Sequence, residues 1–484
     1  MNKELRRISI ATLAMFLALF VSTSVIQVFA VDDLRADPRN VRTLYDSYSA
    51  ERGPILLNGV PIAQSVAVDS PFEFLRVYPE PALYAPITGY FTLNQGNTGI
   101  EGAYNDFLTG TANEQFLDQL GALVTGQRPR GAAVQLTIDP VVQQAAYDAM
   151  GGLKGAVIAI EPSTGRILAL VSTPGFDPNR LAAHDAQGVL KAYDELLSDP
   201  NDPLINRAIS GDLYFPGSTF KVLVAAAAID SGQFTPEDTF PNPARLPLPL
   251  STDVVTNADS GTCGPGATVT IATALRLSCN VLFAELGLAL GEDTLARYTE
   301  AFGFGTAWEI PMTATPSSFP TGLDDAQLML SSFGQYDVRV TPLQMALVSA
   351  AIANGGNLMQ PTLLDRIIAP DLSIVHQAEP ALARQPITRI TAETMTRLMV
   401  DAVANGAASN ASIKGVAVAG KTGTAENGDG APYTLWFIGF APANNPQVAV
   451  AVVIEDGGGL GQAGTSSGIA APIGKRVLEA VLSR

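Results

Sequence analysis

Metal-ligating side chains are scarce in this sequence: 2 His (His184 and His376) and 2 Cys (Cys263 and Cys279) in 484 residues, without zinc-ligand spacing, so no metal site is expected. Charge is scarce too. Only 15% of residues are charged against 47% hydrophobic, which fits neither a disordered chain nor a coiled coil. Basic runs are missing, none being longer than Arg6-Arg7, and a net charge of −17 repels phosphate backbones; this argues against nucleic acid as a partner. The 44 Gly and 33 Pro follow no collagen period, and no internal repeat is visible. A globular chain remains, long enough for about three domains or for one large domain with a smaller one.

One long apolar run is present. Residues 8–31 carry no charge over 24 positions, and about 20 residues cross a bilayer as a helix. Lys3, Arg6 and Arg7 precede it and Asp32 and Asp33 follow, so the positive-inside rule leaves the N-terminus in the cytoplasm and sends the rest across. A cleaved signal peptide is the alternative, with Val28-Phe29-Ala30 as a passable cleavage site, but the run exceeds the roughly 7 to 15 residues of a signal core. No cysteine precedes Cys263, which excludes a lipidated N-terminus.

Beyond the run, residues 33–132 are punctuated by Arg52-Gly53-Pro54, Asn58-Gly59-Val60-Pro61 and Pro79-Glu80-Pro81, with short apolar stretches between, and read as a small β-rich unit. A second unit opens where Asp139-Pro140 caps a helix over 141–150. Two hairpins are expected in it, 156–160 with 166–171 and 435–440 with 447–455, able to share one antiparallel sheet. Between them lie helical patterns at 220–230 and from a capping box at Thr341-Pro342-Leu343-Gln344, and a last helix spans 469–482. Helices segregated against an antiparallel sheet make the fold class α+β.

Two motif matches are decoys. Gly459-Leu460-Gly461-Gln462-Ala463-Gly464 has the dinucleotide-binding pattern, but no second strand and no ribose-binding acid follow it. Gly464-Thr465-Ser466-Ser467-Gly468 has the nucleophile-elbow pattern, yet no His follows His376. A better nucleophile is Ser218 in Phe215-Pro216-Gly217-Ser218-Thr219-Phe220-Lys221, delivered by a Pro-Gly turn to a helix start with Lys221 on the same face. A helix N-terminus favours developing negative charge, and a desolvated Lys beside another cation can lose its proton and become a base. A solvated cap and Lys would give the same local pattern. Lys421-Thr422-Gly423-Thr424, after a strand expected over 416–420, adds a cation, hydroxyls suited to a carboxylate and a backbone open to close approach; chance yields Lys-Thr-Gly in about one such sequence in twenty. Ser278-Cys279-Asn280 lies between two apolar stretches, where a loop could present both polar side chains.

In this order, Ser218-x-x-Lys221, Ser278-x-Asn280 and Lys421-Thr422-Gly423 resemble the three-motif site of penicillin-binding proteins and serine β-lactamases. Arg52-Gly53-x-Ile55, Gly99-Ile100-Glu101, the hairpin Glu161-Pro162-Ser163-Thr164-Gly165 and Thr341-Pro342-Leu343-Gln344-Met345-Ala346 extend the resemblance to class B penicillin-binding proteins. It implies a serine D,D-transpeptidase acting on peptidoglycan stem peptides ending in D-Ala-D-Ala, acylated by β-lactam antibiotics and needing no cofactor. By that resemblance Ser218 is the nucleophile, Lys221 its base, Ser278 and Asn280 the proton relay and peptide holder, and Lys421 the catalytic cation. Thr422, Gly423 and Thr424 bind the substrate, and the backbone amides of Ser218 and Thr424 form the oxyanion hole. The organisation expected is a cytoplasmic segment 1–7, an anchor 8–31, a non-catalytic pedestal 32–132 and a transpeptidase domain 133–484, on the outer face of the plasma membrane beside cell-wall synthesis or division machinery. A D,D-carboxypeptidase or β-lactamase, and a silent β-lactam sensor or scaffold, are the competing readings. Departures exist: no Asp-Arg precedes Asn58-Gly59, and Cys279 between Ser278 and Asn280 is unusual. A disulfide between Cys263 and Cys279, 16 positions apart in an oxidising compartment, is expected to brace the site, with two free buried thiols as the alternative.

Overall fold

The strand Val448–Ile454 is buried along its whole length, and a five-stranded sheet is built outward from it. The computed structural model describes residues 3–29, 51–70, 72–92, 95–115 and 130–484. Five antiparallel strands run in the order Ala419–Ala425, Thr434–Ala441, Val448–Ile454, Gly155–Ile160 and Ile167–Thr173. Alternate side chains divide cleanly. Ile158, Trp436, Ile438, Ala451 and Val453 join one core with the helices Lys221–Asp230 and Pro342–Ala353. Val157, Phe437, Val450 and Val452 join another with Pro140–Met150 and Ala470–Leu482. A period of 2 along each strand thus feeds both faces, which is why the central strand reads as an unbroken apolar run.

Both expected hairpins are present in this sheet, and the α+β class with helices on its two faces stands. Asp139 caps Pro140–Met150 by accepting from the N–H groups of Val141 and Val142, at 2.9 and 3.2 Å. The capping box at Thr341 is only half made. Thr341 Oγ1 accepts from Gln344 N–H, but the Gln344 amide turns away to donate to Phe302 O (2.7 Å) and accept from Trp308 Nε1 (3.3 Å). The helix is buried on all sides, so an inward amide partner is worth more than a surface cap. The strand expected over 416–420 begins later, at Ala419, and carries Lys421, Thr422 and Gly423 within it.

The N-terminal unit departs further from the sequence reading. Its sheet is mixed and six-stranded, in the order Ile374–Gln377, Leu364–Ile368, Ala133–Leu136, Ile55–Leu57, Val60–Ala67 and Phe74–Val77, with the Ile55–Leu57 to Ala133–Leu136 pairing parallel. The sheet therefore draws strands from both sides of the 132/133 boundary, two of them from far along the chain. Nor is it purely β-rich: Pro81, read as strand punctuation, stands at the first position of the helix Pro81–Thr88, where its missing N–H costs nothing. Near the N-terminus the helix Lys3–Ser24 continues into one wider turn, and Leu5–Gln27 is long and apolar enough to cross a membrane. Met1, Asn2, the end of the expected span (Ala30, Val31), the following acids Asp32 and Asp33, and the pedestal residues 34–50, Pro71, Leu93, Asn94 and 116–129 lie outside the described residues.

Arg52-Gly53 and Ile100-Glu101, far apart in sequence, meet in a buried ion cluster. Glu101 is 0% exposed; its carboxylate accepts from Arg52 Nε and Arg76 Nε, each at 2.6 Å, and from Tyr78 OH at 3.1 Å. Burial pushes the Glu101 carboxyl up, but the two guanidiniums overcome it and the net shift is down. Removing one charge from such a cluster strands the others. Glu101→Gln should cost about 3 to 5 kcal/mol and lower the denaturant midpoint. Because the folded carboxyl titrates below its unfolded value of about 4.3, the stabilisation is complete above that pH and is lost as pH falls through the folded value. The variant's acid unfolding limb should accordingly be flatter, and an unchanged midpoint in urea would contradict this role for Glu101.

Candidate active site

A single tight helical turn, Gly217–Thr219, leads into the helix Lys221–Asp230, whose residues 221–228 are all buried. Ser218 stays partly exposed on this turn while Lys221 points inward, and the two meet with Nζ 3.0 Å from Oγ. Gly217 has φ +51, and a Cβ there would lie 2.5 Å from Thr424 O. A Cβ on Gly423 would lie 2.7 Å from Thr219 N. Both glycines are thus required for the turn to lie directly against the strand Ala419–Ala425. Trp436, opposite Gly423 in the sheet, donates from Nε1 to Phe215 O at 2.9 Å and fixes the approach to the turn.

The helices Ile271–Leu277 and Asn280–Leu290 are joined through Ser278 and Cys279. Ser278 adopts a left-handed conformation, φ +67. This tight corner, rather than an open loop, turns three groups toward the lysines. Lys221 Nζ lies 2.8 Å from Ser278 O and 2.7 Å from Asn280 Oδ1, and Lys421 Nζ donates to Ser278 Oγ at 2.6 Å and to Thr422 O at 2.8 Å. Cys279 is joined to Cys263 in a disulfide beside this corner, and free cysteines are absent among the described residues.

A lysine on an apolar helix, like Lys221, is expected to be buried, and one on an edge strand, like Lys421, to be solvated. The structure corrects this: Lys221 is 0% and Lys421 1% exposed. Burial alone pushes Lys421 down to about 7. Lys221 is held well below the usual lysine value by burial first and the Lys421 charge second. Its Nζ also lies 5.6 Å from the Phe283 ring centre and 6.0 Å from that of Phe333, which favours the charged form. Ring attraction of that kind is worth about 0.5 to 2 kcal/mol, while full burial moves a lysine by about 3 to 5 pKa units, or roughly 4 to 7 kcal/mol. Desolvation wins, and the two rings form the apolar wall that produces it.

Of the remaining residues singled out in the sequence, Thr422 is buried with Oγ1 3.4 Å from Ala407 O, and Thr424 is exposed. Ser466, the discarded nucleophile-elbow serine, turns out to serve this strand: it is 3% exposed, donates to Gly423 O at 2.6 Å and shares a 2.8 Å hydrogen bond with Thr424 Oγ1. Since a carbonyl only accepts, the single Ser466 proton goes to Gly423 and the Thr424 hydroxyl donates to Ser466. Its motif drew attention to the right residue for the wrong chemistry. Trp436, Phe283, Phe333 and Asn257 carried no local signal. No group of three or more His, Cys, Asp or Glu able to hold a metal occurs among the described residues.

Residues 155–479 match the penicillin binding protein transpeptidase domain, and residues 52–134 match the penicillin binding protein A dimerisation domain. The chain is 45% identical to the peptidoglycan D,D-transpeptidase PbpA of Mycolicibacterium smegmatis, over 100% of this chain and 99% of that protein. It is 43% identical to the protein of the same name from Mycobacterium tuberculosis, with equal coverage. A solved structure of penicillin-binding protein A from M. tuberculosis, an imipenem acyl-enzyme complex, superposes with a TM-score of 0.86 at 42% identity, over 90% of this chain and 100% of that one. Three motifs joined by hydrogen bonds at one site, on a fold shared along nearly the whole length, place this chain in the class B penicillin-binding protein transpeptidase family.

Proposed function

We propose that the chain is a peptidoglycan D,D-transpeptidase whose acyl-enzyme forms on Ser218 with Lys221 as general base. The observation that carries this is the proton inventory at Lys221. A neutral amine has two protons and one lone pair. Ser278 O is an obligatory acceptor, and Asn280 presents Oδ1 because its Nδ2 donates to Thr256 O at 2.9 Å. Those two neighbours take both protons, so the lone pair faces the third, Ser218 Oγ. Ser218 Oγ then attacks the carbonyl carbon of the D-Ala-D-Ala bond as its proton passes to Lys221. The N–H groups of Ser218 and Thr424 receive the oxyanion, a contribution of typically 10² to 10³ in rate per donor. The C–N bond breaks as the leaving nitrogen takes a proton from Ser278 Oγ, which Lys421 can replenish across their 2.6 Å hydrogen bond. A neighbouring stem's amine attacks the acyl-enzyme next and loses its proton to Ser278 Oγ, which hands one back to Lys421, while Lys221 returns its proton to Ser218 Oγ as the ester bond breaks, leaving a new peptide cross-link and the starting enzyme.

Lys421 together with the Thr422 and Thr424 hydroxyls orients the terminal carboxylate; for Thr424 this requires its proton to swing from Ser466 into the cleft. Gly423 lets the substrate backbone lie close. Residues 8–31 act as a single-pass anchor in the plasma membrane with the catalytic domain outside, residues 32–132 as the non-catalytic module, and 133–484 as the transpeptidase domain. The N-terminal module's match supports self-association or contact with other cell-wall machinery.

Labelling with fluorescent penicillin should give one covalent adduct that vanishes in Ser218→Ala. Incubation with pentapeptide stems and an amine acceptor should give cross-linked dimer; hydrolysed tetrapeptide alone would make the chain a carboxypeptidase, and no turnover a sensor. Lys221→Arg should abolish acylation, because a guanidinium keeps its proton, whereas Lys421→Arg should weaken capture and leave measurable acylation. Acylation by Lys221→Arg near the wild-type rate would remove Lys221 from the base role.

The lysines also set the pH dependence. Lys221 must be neutral, which requires pH above its lowered pKa; Lys421 must be charged, which requires pH below about 7. The second-order acylation constant should therefore fall as pH rises through about 7, and Lys421→Arg should flatten that alkaline limb. For topology, a protease added outside intact cells should spare residues 1–7, and intact mass of the membrane-extracted chain should include residues 1–30. A mature form beginning at Val31 would replace the anchor with a signal peptide.

A further inference from the structure

The base assignment for Lys221 depends on which atom of the Asn280 amide faces it, and that is decided outside the three motifs. The hairpin Arg245–Pro247 with Val254–Thr256 runs directly into Asn257, which is 4% exposed. Asn257 Oδ1 accepts from Asn280 N–H at 2.9 Å and from Val281 N–H at 3.2 Å. Its Nδ2 donates to Gly261 O at 2.9 Å, which fixes the orientation of its own amide. The preceding Thr256 carbonyl takes Asn280 Nδ2. One dipeptide therefore holds both the backbone and the side chain of Asn280.

The reason lies in Cys279. It occupies the N-cap position of the helix Asn280–Leu290 but makes no side-chain cap, its sulfur being committed to Cys263. A helix start leaves several N–H groups without partners, and here Asn257 accepts two of them from a separate segment of the chain. The disulfide holds that segment's far end: Cys263 lies six residues beyond Asn257, and its N–H donates to Asn242 Oδ1 at 2.7 Å. Ser278, left-handed and bonded to both lysines through its carbonyl and hydroxyl, sits between these two attachments.

We propose that Asn257 is a positioning residue for acylation: it holds Asn280 so that Oδ1, and not Nδ2, meets Lys221, thereby directing the lysine lone pair at Ser218. This rests on Lys221 being the base. Without the Asn257 side chain the first turn of the helix loses its hold on the segment that carries Thr256 O, so the Nδ2–Thr256 O bond that orients the Asn280 amide is weakened; with Nδ2 toward Lys221 the lone pair is drawn to the amide and away from Ser218.

The test is the first-order acylation rate at saturating fluorescent penicillin, which does not depend on the fraction of protein folded, measured on the full-length chain in detergent from pH 5 to 9. Asn257→Ala should lower it at least tenfold while the concentration giving half-maximal rate changes less than threefold. Asn257→Asp restores an equally good cap acceptor and should recover most of the lost rate. Its added carboxylate should shift the acid limb to higher pH, because a nearby negative charge favours the Lys221 ammonium. Among the described residues Lys421 is the one charged group that shifts Lys221, and Asp253 and Asp259, flanking Asn257 on its own segment, are present in all variants. Asn257→Ala acylating within twofold of wild type, or, should that variant not fold, Asn257→Asp with an unshifted acid limb, overturns the proposal. Lys221→Arg measured alongside separates the two failures: an active Lys221→Arg sinks the base reading, while an inactive one beside a fully active Asn257→Ala sinks only the role of Asn257.

Discussion

Two lysine amino groups are buried around one serine residue, Lys221 on the carbonyl of Ser278 and Lys421 on its hydroxyl. Among the described residues neither lysine has a hydrogen-bonded carboxylate, so charge on Lys421 opposes charge on Lys221. The surrounding structure keeps this unfavourable pair together. Phe283 and Phe333 wall off water, the disulfide and Asn257 hold the corner at Ser278, and the glycines at 217 and 423 press the nucleophile's turn onto the strand that carries Lys421. The stability that tolerates such a site comes from the twice-covered sheet behind it, whose middle strands expose almost nothing.

That sheet was largely readable from sequence because its strands are joined by short connections. Residues 161–165 and 442–446 carry turn chemistry between apolar runs, and the pairing follows from adjacency. The edge strand was placed early because Val416, Val418 and Ala419 are apolar enough to look extended, while the hydrogen bonds to Thr434–Ala441 begin only at Ala419. Residues 364–377 gave no warning of joining the N-terminal sheet, since pairing across such separations leaves no periodic mark.

The site shows the same division. Ser218, Lys221, Ser278, Asn280 and Lys421 were visible as short patterns, and the structure brings them within hydrogen-bonding distance of one another. The depth of Lys421 was not visible, because a lysine on an edge strand is ordinarily solvated; here Thr422 O and Ser278 Oγ take its protons and allow burial. Asn257 was hidden for a plainer reason. An Asn in a polar loop is the commonest of signals, and only the three-dimensional position of two N–H groups distinguishes this one.

The route of the chain through the N-terminal sheet bears on how the protein is made. Ala133–Leu136 waits for a neighbour on one side until Leu364–Ile368 has been synthesised, and Leu364–Ile368 in turn is bordered by Ile374–Gln377. During synthesis a raw strand edge is therefore held open while most of the catalytic fold is still arriving, a period in which pairing with another chain is the competing outcome. A chain cut short before residue 377 would therefore leave the six-stranded sheet incomplete.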